Sequence, residues 1–133
     1  MPENIDKNEN NFVYTDLTYK INGFCYEIFN QIGQGQTEKV YSKALAELLT
    51  ANNIKFSREL YFPIKINDKL IAKRYFDFLV DDKVVIELKT GFRNYKTAYT
   101  QLLGYLKYSK LKLGLIVRFS PDGVKIKRIA NLH

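Results

Sequence analysis

The sequence predicts a mixed α/β fold in which helices cover a central β-sheet, with the elements in the order ααβββαββ. Two stretches with apolar residues at helical spacing come first, three strand-like stretches follow, and another helical stretch precedes two short strands. The 133 residues, 46% of them hydrophobic, suit one domain with one sizeable core. We expect a flexible polar N-terminal tail over residues 1–14 and a single domain over residues 15–133.

The first two elements are predicted to be amphipathic helices. The first runs from about Asp16 to a stop at Gly33. The second begins after Thr37, a residue type that caps helix N-termini, and ends at Asn52. The apolar stripes consist of Leu17, Ile21, Phe24, Ile28 and Ile32 in the first helix, and of Val40, Tyr41, Ala44, Leu45, Leu48 and Leu49 in the second.

Alternating apolar and polar residues then predict three strands. The first covers residues 60–66, the turn Asn67-Asp68 leads into a second over residues 69–80, and the third covers residues 83–89. Helical spacing returns over about residues 94–110. Residues 113–119 and 124–129 predict two closing strands around the turn "SPDG".

Charged residues interrupt the most hydrophobic hairpin of the chain, "FDFLVDDKVVIELKTG". By strict alternation, Asp77 shares a face of the second strand with Tyr75 and Leu79, and Glu87 shares a face of the third strand with Lys89. Unpaired charge is costly in such surroundings, so the three charged side chains require an explanation.

The length of the hairpin loop decides whether the two carboxylates meet. A two-residue loop at Asp81-Asp82 would pair Asp77 with Ile86, whereas a three-residue loop over residues 81–83 would pair Asp77 with Glu87. Loop aspartates tolerate the left-handed backbone that the longer loop needs, so the sequence allows this register without requiring it.

Two neighbouring carboxylates would repel each other, and a hard divalent cation such as Mg²⁺ or Mn²⁺ would relieve that repulsion. Lys89, one pleat from Glu87, would then face the substrate side of the metal. The tripeptide Glu-x-Lys is expected about once by chance in a chain of this composition, and a solvent-exposed Glu-Lys pair would also account for it.

The composition excludes several other kinds of site. His133 is the one histidine and Cys25 the one cysteine, so a histidine-based triad, a zinc knuckle and an internal disulfide are all implausible. "GQGQ" is too short for a phosphate-binding loop. The formal charge of +7 permits a polyanionic partner without requiring one. We expect no membrane partner and a cytoplasmic location.

Three motifs resemble those of a known family. "GQTEKVY", with Gly35, Glu38 and Tyr41, carries the pattern after which the GxxExxY protein family is named. Asp77 followed by "IELK" matches the acidic pair of that family, and "QLLGYLKYSKLKLGLIVRF" matches its Gln-x-x-x-Tyr helix and the strand after it. Over residues 16–131 the chain thus resembles the GxxExxY family, which is similar to the PD-(D/E)XK nuclease superfamily near its RecB and lambda exonuclease-like branch.

This resemblance implies a restriction-endonuclease-like core and metal-dependent hydrolysis of nucleic acid, with DNA favoured as substrate and Mg²⁺ or Mn²⁺ as cofactor. The residues that it implies are Lys89, Asp77, Glu87, Gln101 and Tyr105 for catalysis and Asp77, Glu87 and Glu38 for metal binding. The literal "PD" is absent, because Phe76 precedes Asp77.

Some matched residues have simpler explanations that stay open at this point. Glu38 would complement the helix dipole in a first helical turn, Tyr41 would pack in the core, and Gly35 would serve a tight turn. The alternative function is a non-catalytic nucleic-acid-binding or protein-interaction module that keeps the fold. A domain of this size also suggests a homodimer or a partner subunit that helps to enclose the substrate.

Overall fold

The computed structural model describes residues 13–91 and 95–132. Its helices are α1 (Thr15–Ile32), α2 (Glu38–Ala51) and α3 (Tyr95–Ser109), and its strands are β1 (Phe56–Ile66), β2 (Lys69–Val80), β3 (Val84–Thr90), β4 (Leu113–Ser120) and β5 (Gly123–Ala130). The order is ααβββαββ, so the predicted fold class is confirmed. The predicted tail lies outside the described residues up to residue 12.

Local capping explains where the first two helices end and begin. Gly33 adopts a positive φ of 73° and its N–H donates to the carbonyl of Phe29, which closes α1. The Thr37 hydroxyl accepts a hydrogen bond from the N–H of Val40 at 3.3 Å and so caps α2. Both boundaries are those that the sequence predicted.

The five strands form one mixed sheet in the order β1-β2-β3-β4-β5. Only β3 and β4 are parallel, and α3 supplies the crossover that such a pair needs. β2 pairs with β1 over nearly its whole length. It pairs with β3 over three residue pairs, which run from the pair Val80–Val84 to the pair Phe78–Ile86. A β1–β2 ribbon therefore extends beyond β3, and the two parts of the sheet diverge at Asp77.

Helices cover both faces of the sheet. The core under α1 and α2 contains Phe78, Ile86 and Val117, together with Cys25, whose burial raises the pKa of its thiol to about 12. The core under α3 contains Val85 and Ile116 along with helix residues such as Leu102. Because Val85 faces α3, the alternation along β3 directs Glu87 and Lys89 to the same face.

The alternation of faces along β2 reverses at Asp77. Phe78 packs in the core under α1 and α2, whereas Phe76, two residues earlier, packs in the core under α3. Directly across on β1, Glu59 has a left-handed φ of 57°. The expectation that Asp77 shares one face with both Tyr75 and Leu79 is therefore wrong, because both strands turn at this level and interrupt the two-residue period.

None of the described helices is long and apolar enough to cross a membrane.

Candidate active site

The loop between β2 and β3 has three residues, Asp81 to Lys83, and this length brings Asp77 level with Glu87. Asp81 and Asp82 have φ angles of 54° and 56°, the left-handed conformation that aspartate tolerates. The N–H of Lys83 donates to the carbonyl of Val80 at 3.0 Å and closes the turn. Of the two loop lengths that the sequence left open, the structure has the one that joins the two carboxylates.

Reciprocal hydrogen bonds hold the two carboxylates together. The N–H of Leu88 donates to Asp77 Oδ2 at 2.7 Å, and the N–H of Asp77 donates to Glu87 Oε1 at 3.3 Å. These N–H groups belong to the level at which the two strands diverge, where the backbone ladder between β2 and β3 has ended. Each carboxylate therefore satisfies a backbone donor of the opposite strand and has its position fixed by it.

Lys89 completes a compact group with these acids. Its Nζ lies 3.3 Å from Glu87 Oε2, and the side chains of Lys89 and Glu87 are 28% and 15% exposed. The ion pair is thus partly shielded from water, while the lysine stays accessible to a ligand.

Burial and the neighbouring acid change the ionisation of Glu87. Burial and, after it, the nearby Asp77 carboxylate raise the pKa of Glu87 from 4.5 to about 8, while Lys89 opposes the shift. At neutral pH the two carboxyl groups therefore retain a proton between them in the absence of any other cation. Paired oxygen ligands that bind a proton this firmly also fit a hard divalent cation, which neutralises both charges at once.

The structure does not bring Glu38 into this group. Within residues 13–91 and 95–132, no three His, Cys, Asp or Glu side chains are placed to hold a metal ion together. Glu38 is the first residue of α2, directly after the cap Thr37. Tyr41, one turn later, is fully buried and its ring stacks on Phe119 at 4.0 Å, so Tyr41 is a core residue.

Gln101 and Tyr105 lie one turn apart on α3, the helix that covers the Glu87 face of the sheet. Gln101 is partly buried. Tyr105 is 7% exposed, and its ring centroid lies 5.0 Å from that of Phe76 and 5.4 Å from that of Phe62. Since Phe76 directly precedes Asp77, Tyr105 supports the backbone that carries the first acid.

A family model for the PD-(D/E)XK nuclease superfamily matches residues 15–129. The chain belongs to this superfamily. The match spans every helix that the structure describes and all but the last residue of β5. Asp77 on β2 and the tripeptide from Glu87 to Lys89 on β3 have the residue types that the superfamily's name gives, in the same order along the chain.

A solved structure supports the fold of this superfamily member. The "Crystal structure of SSO0001" is similar to it with a TM-score of 0.53 and 25% sequence identity, over 70% of this chain and 49% of the other. The chain thus spans about half the length of that protein. No curated protein matches the chain.

Two features of this PD-(D/E)XK protein were missed from the sequence. One is the reversal of faces at Asp77, which depends on the backbone of Glu59 across the ribbon. The other is Arg118, which lies directly beside Lys89 on β4. Alternation in "LGLIVRF" could have placed Arg118 opposite the apolar face, but its register against β3 required the structure.

Proposed function

We propose that this protein is a Mg²⁺- or Mn²⁺-dependent nuclease that hydrolyses phosphodiester bonds of nucleic acid, with DNA as the favoured substrate. The observation that carries the proposal is the Asp77–Glu87 carboxyl pair with Lys89 Nζ 3.3 Å from Glu87. Membership of a nuclease superfamily makes nucleic acid the expected substrate class.

Asp77 and Glu87 would hold the divalent cation. Each already uses one carboxylate oxygen to accept a backbone N–H, which leaves Asp77 Oδ1 and Glu87 Oε2 for a cation. When bound, the cation would polarise the scissile phosphate and make a nearby water more acidic. Glu38 stays a candidate third ligand, and it would have to approach from the N-terminus of α2.

Lys89 is the proposed catalytic lysine. Its ammonium would leave the ion pair with Glu87 once a cation neutralises that carboxylate, and would then orient the attacking water and stabilise charge on the phosphate. Gln101 and Tyr105 would position the lysine or contact a phosphate from α3. The aromatic packing of Tyr105 supports a positioning role for this residue.

Finer assignments belong to the same proposal. We assign the chain to the GxxExxY family and to the RecB and lambda exonuclease-like branch on the motifs around Glu38, Glu87 and Gln101. We also propose a cytoplasmic protein that uses a homodimer or a partner subunit to enclose its substrate. These assignments refine the superfamily membership and are separable from it.

A cleavage assay tests the proposal. Purified protein with Mn²⁺ should cleave at least one substrate in a panel of single-stranded, double-stranded and branched DNA and RNA. Lys89→Ala should lower the rate about 100-fold or more, because it removes charge stabilisation that matters most in the transition state. Lys83→Ala, six residues away in the same hairpin, should cleave like the wild type.

The controls separate the enzyme from a binding module. A wild-type protein that binds nucleic acid but cleaves nothing on the panel would favour the non-catalytic alternative. Cleavage that persists unchanged in Lys89→Ala would contradict the assignment of the active site.

A further inference from the structure

The positive charge of the chain is concentrated after the active-site glutamate. Residues 88–133 contain ten Lys or Arg and one acid, Asp122, whereas residues 1–87 contain eleven Lys or Arg and thirteen Asp or Glu. α3, β4 and β5 contain no Asp or Glu at all. Glu87 is therefore the last carboxylate before three successive elements that carry only positive charge.

The sheet register arranges part of this charge in a row. Lys89 on β3 is the cross-strand neighbour of Arg118 on β4, and Arg118 is the neighbour of Lys125 on β5. Val117 and Val124 pack in the core under α1 and α2, so Arg118 and Lys125 face the opposite side, as Lys89 does. We call these three residues the cation row.

Tyrosines of α3 border the cation row. The guanidinium carbon of Arg118 lies 4.8 Å from the ring centroid of Tyr95. One level further along the strands, Lys127 Nζ lies 5.4 Å from the ring centroid of Tyr99, in a groove that Lys96 also lines. The aromatic rings hold these cations in place and shield one side of each from water.

If the stability of the sheet were the only requirement, an uncharged residue at one position of the cation row would be more favourable. Like charges directly opposite each other on neighbouring strands destabilise a sheet, and here two such contacts follow one another. The one carboxylate on this face of β3, β4 and β5 is Glu87, and it already pairs with Lys89. An anionic ligand that contacts all three strands would relieve this repulsion between neighbouring cations, so the arrangement is suited to such a ligand.

We infer that the cation row, together with Lys127, binds the phosphate backbone of the nucleic acid on one side of the scissile phosphate. This inference rests on the proposed function, because Lys89 is both the catalytic lysine and the first member of the row. Neighbouring strands are about 4.8 Å apart, so the row extends about 10 Å from the active site toward the β5 edge. That distance corresponds to about three nucleotides at a rise of about 3.4 Å each.

A binding experiment without cleavage tests this phosphate track, by which we mean the cation row together with Lys127. Fluorescence anisotropy with a labelled single-stranded DNA oligonucleotide in EDTA should show that Lys125→Ala/Lys127→Ala binds about 10-fold more weakly than the wild type at low salt. The slope of log K against log salt should fall by about 1.4, the value for two lost contacts to a single strand. Lys20→Ala/Lys43→Ala, which removes two exposed lysines from α1 and α2 on the opposite side, should bind like the wild type.

A second arm locates the track relative to the cleaved bond. Methylphosphonate substitution of the phosphates two and three nucleotides from that bond, on one side only, should slow cleavage by the wild type. The same substitution should not slow Lys125→Ala/Lys127→Ala further, because the contact is already lost.

The outcomes distinguish this inference from the proposed function. Lysines on an edge strand also prevent strand pairing between molecules, and that role alone would leave nucleic-acid binding unchanged in Lys125→Ala/Lys127→Ala. Equal salt slopes for this variant and the α1–α2 control would therefore overturn the track even if the protein cleaves. Loss of cleavage in all proteins with the slope difference retained would instead overturn the nuclease proposal and keep the track as a binding surface.

Lys125→Glu should keep the melting temperature, since it faces Arg118, yet weaken binding.

Discussion

The carboxylates of the proposed active site stabilise the fold, and their closeness also brings two negative charges together. Asp77 and Glu87 each accept a backbone N–H at the level where β2 leaves β3, which replaces two ladder hydrogen bonds. The same contacts hold the two acids close enough to share a proton. A divalent cation that binds here would therefore require little further ordering of side chains, because the fold already holds both carboxylates in place.

Glu87→Gln should remove a pH dependence of stability. The pKa of Glu87 is about 8 in the folded protein and near 4.5 in the unfolded chain, so the folded state binds the proton more tightly. The free energy of unfolding should then fall as pH rises from about 5 to about 8, by up to several kcal/mol at about 1.4 kcal/mol per pKa unit. Gln keeps the oxygen that accepts the Asp77 N–H but does not titrate.

Urea unfolding in EDTA at pH 5.5, 7 and 8.5 measures this effect as the difference between wild type and variant. Glu47→Gln, an exposed position on α2, should follow the wild type. A wild-type stability that rises relative to Glu87→Gln over this range would show that Glu87 ionises readily.

The elements themselves were largely predictable, because local residues determine them. Gly33 and Thr37 fixed two helix boundaries through backbone conformation and capping, and the turn Asn67-Asp68 fixed the start of β2 at Lys69. β1 begins at Phe56, four residues earlier than predicted, because Arg58 and Glu59 interrupt its alternation. The reversal of faces at Asp77 was not predictable, since it depends on how two strands turn together.

The closeness of Asp77 and Glu87 could not be predicted without the length of the hairpin loop, and the sequence allowed a loop of either two or three residues. The motif then identified the residue types but not their geometry. Glu38 shows the limit of prediction from a motif. Its distance from Asp77 and Glu87 depends on how α2 packs on the sheet, and no local sequence pattern determines that distance.

Gly114→Ala should destabilise the packing of α3 on the sheet. A Cβ at Gly114 on β4 would lie 2.8 Å from Leu102 Cδ2, so α3 would have to shift or Leu102 would have to change rotamer. Overpacking of this kind costs about 1–3 kcal/mol in unfolding free energy. Gly104→Ala on α3 itself meets no atom within 4 Å and should stabilise by about 0.5–1 kcal/mol through helix propensity.

Urea denaturation of both variants measures the contrast, and Gly114→Ala combined with Leu102→Val should recover part of the loss. Equal stability of the two single variants would mean that α3 does not approach β4 as closely as Gly114 permits. Since α3 also carries Gln101 and Tyr105, a shift of this helix should lower cleavage as well as stability.

At the scale of the whole molecule, the proposed active site lies where three parts of the fold meet. The β1–β2 ribbon diverges from the rest of the sheet at Asp77, α3 covers the face that Glu87 and Lys89 occupy, and the cation row leads away toward β5. The N-terminal part supplies all the acids of the site, and the C-terminal part supplies the concentrated positive charge. On the proposed function, this charge distribution would draw an anionic chain toward the Asp77–Glu87 carboxyl pair.

Divalent cations should stabilise the whole protein in a way that depends on Asp77 and on pH. We expect Mg²⁺ or Mn²⁺ to bind only the folded carboxylate pair, so either cation should raise the melting temperature by several degrees once its concentration is about 100 times the dissociation constant. The cation competes with the proton that Glu87 retains up to about pH 8, so the shift should be larger at pH 8.5 than at pH 6.5. Asp77→Asn keeps the acceptor for the Leu88 N–H and should abolish the shift, whereas Asp122→Asn, in the exposed β4–β5 turn, should retain it. Differential scanning fluorimetry with each cation at both pH values gives the measurement, and an equal shift in wild type and Asp77→Asn would place the bound ions elsewhere on the molecule.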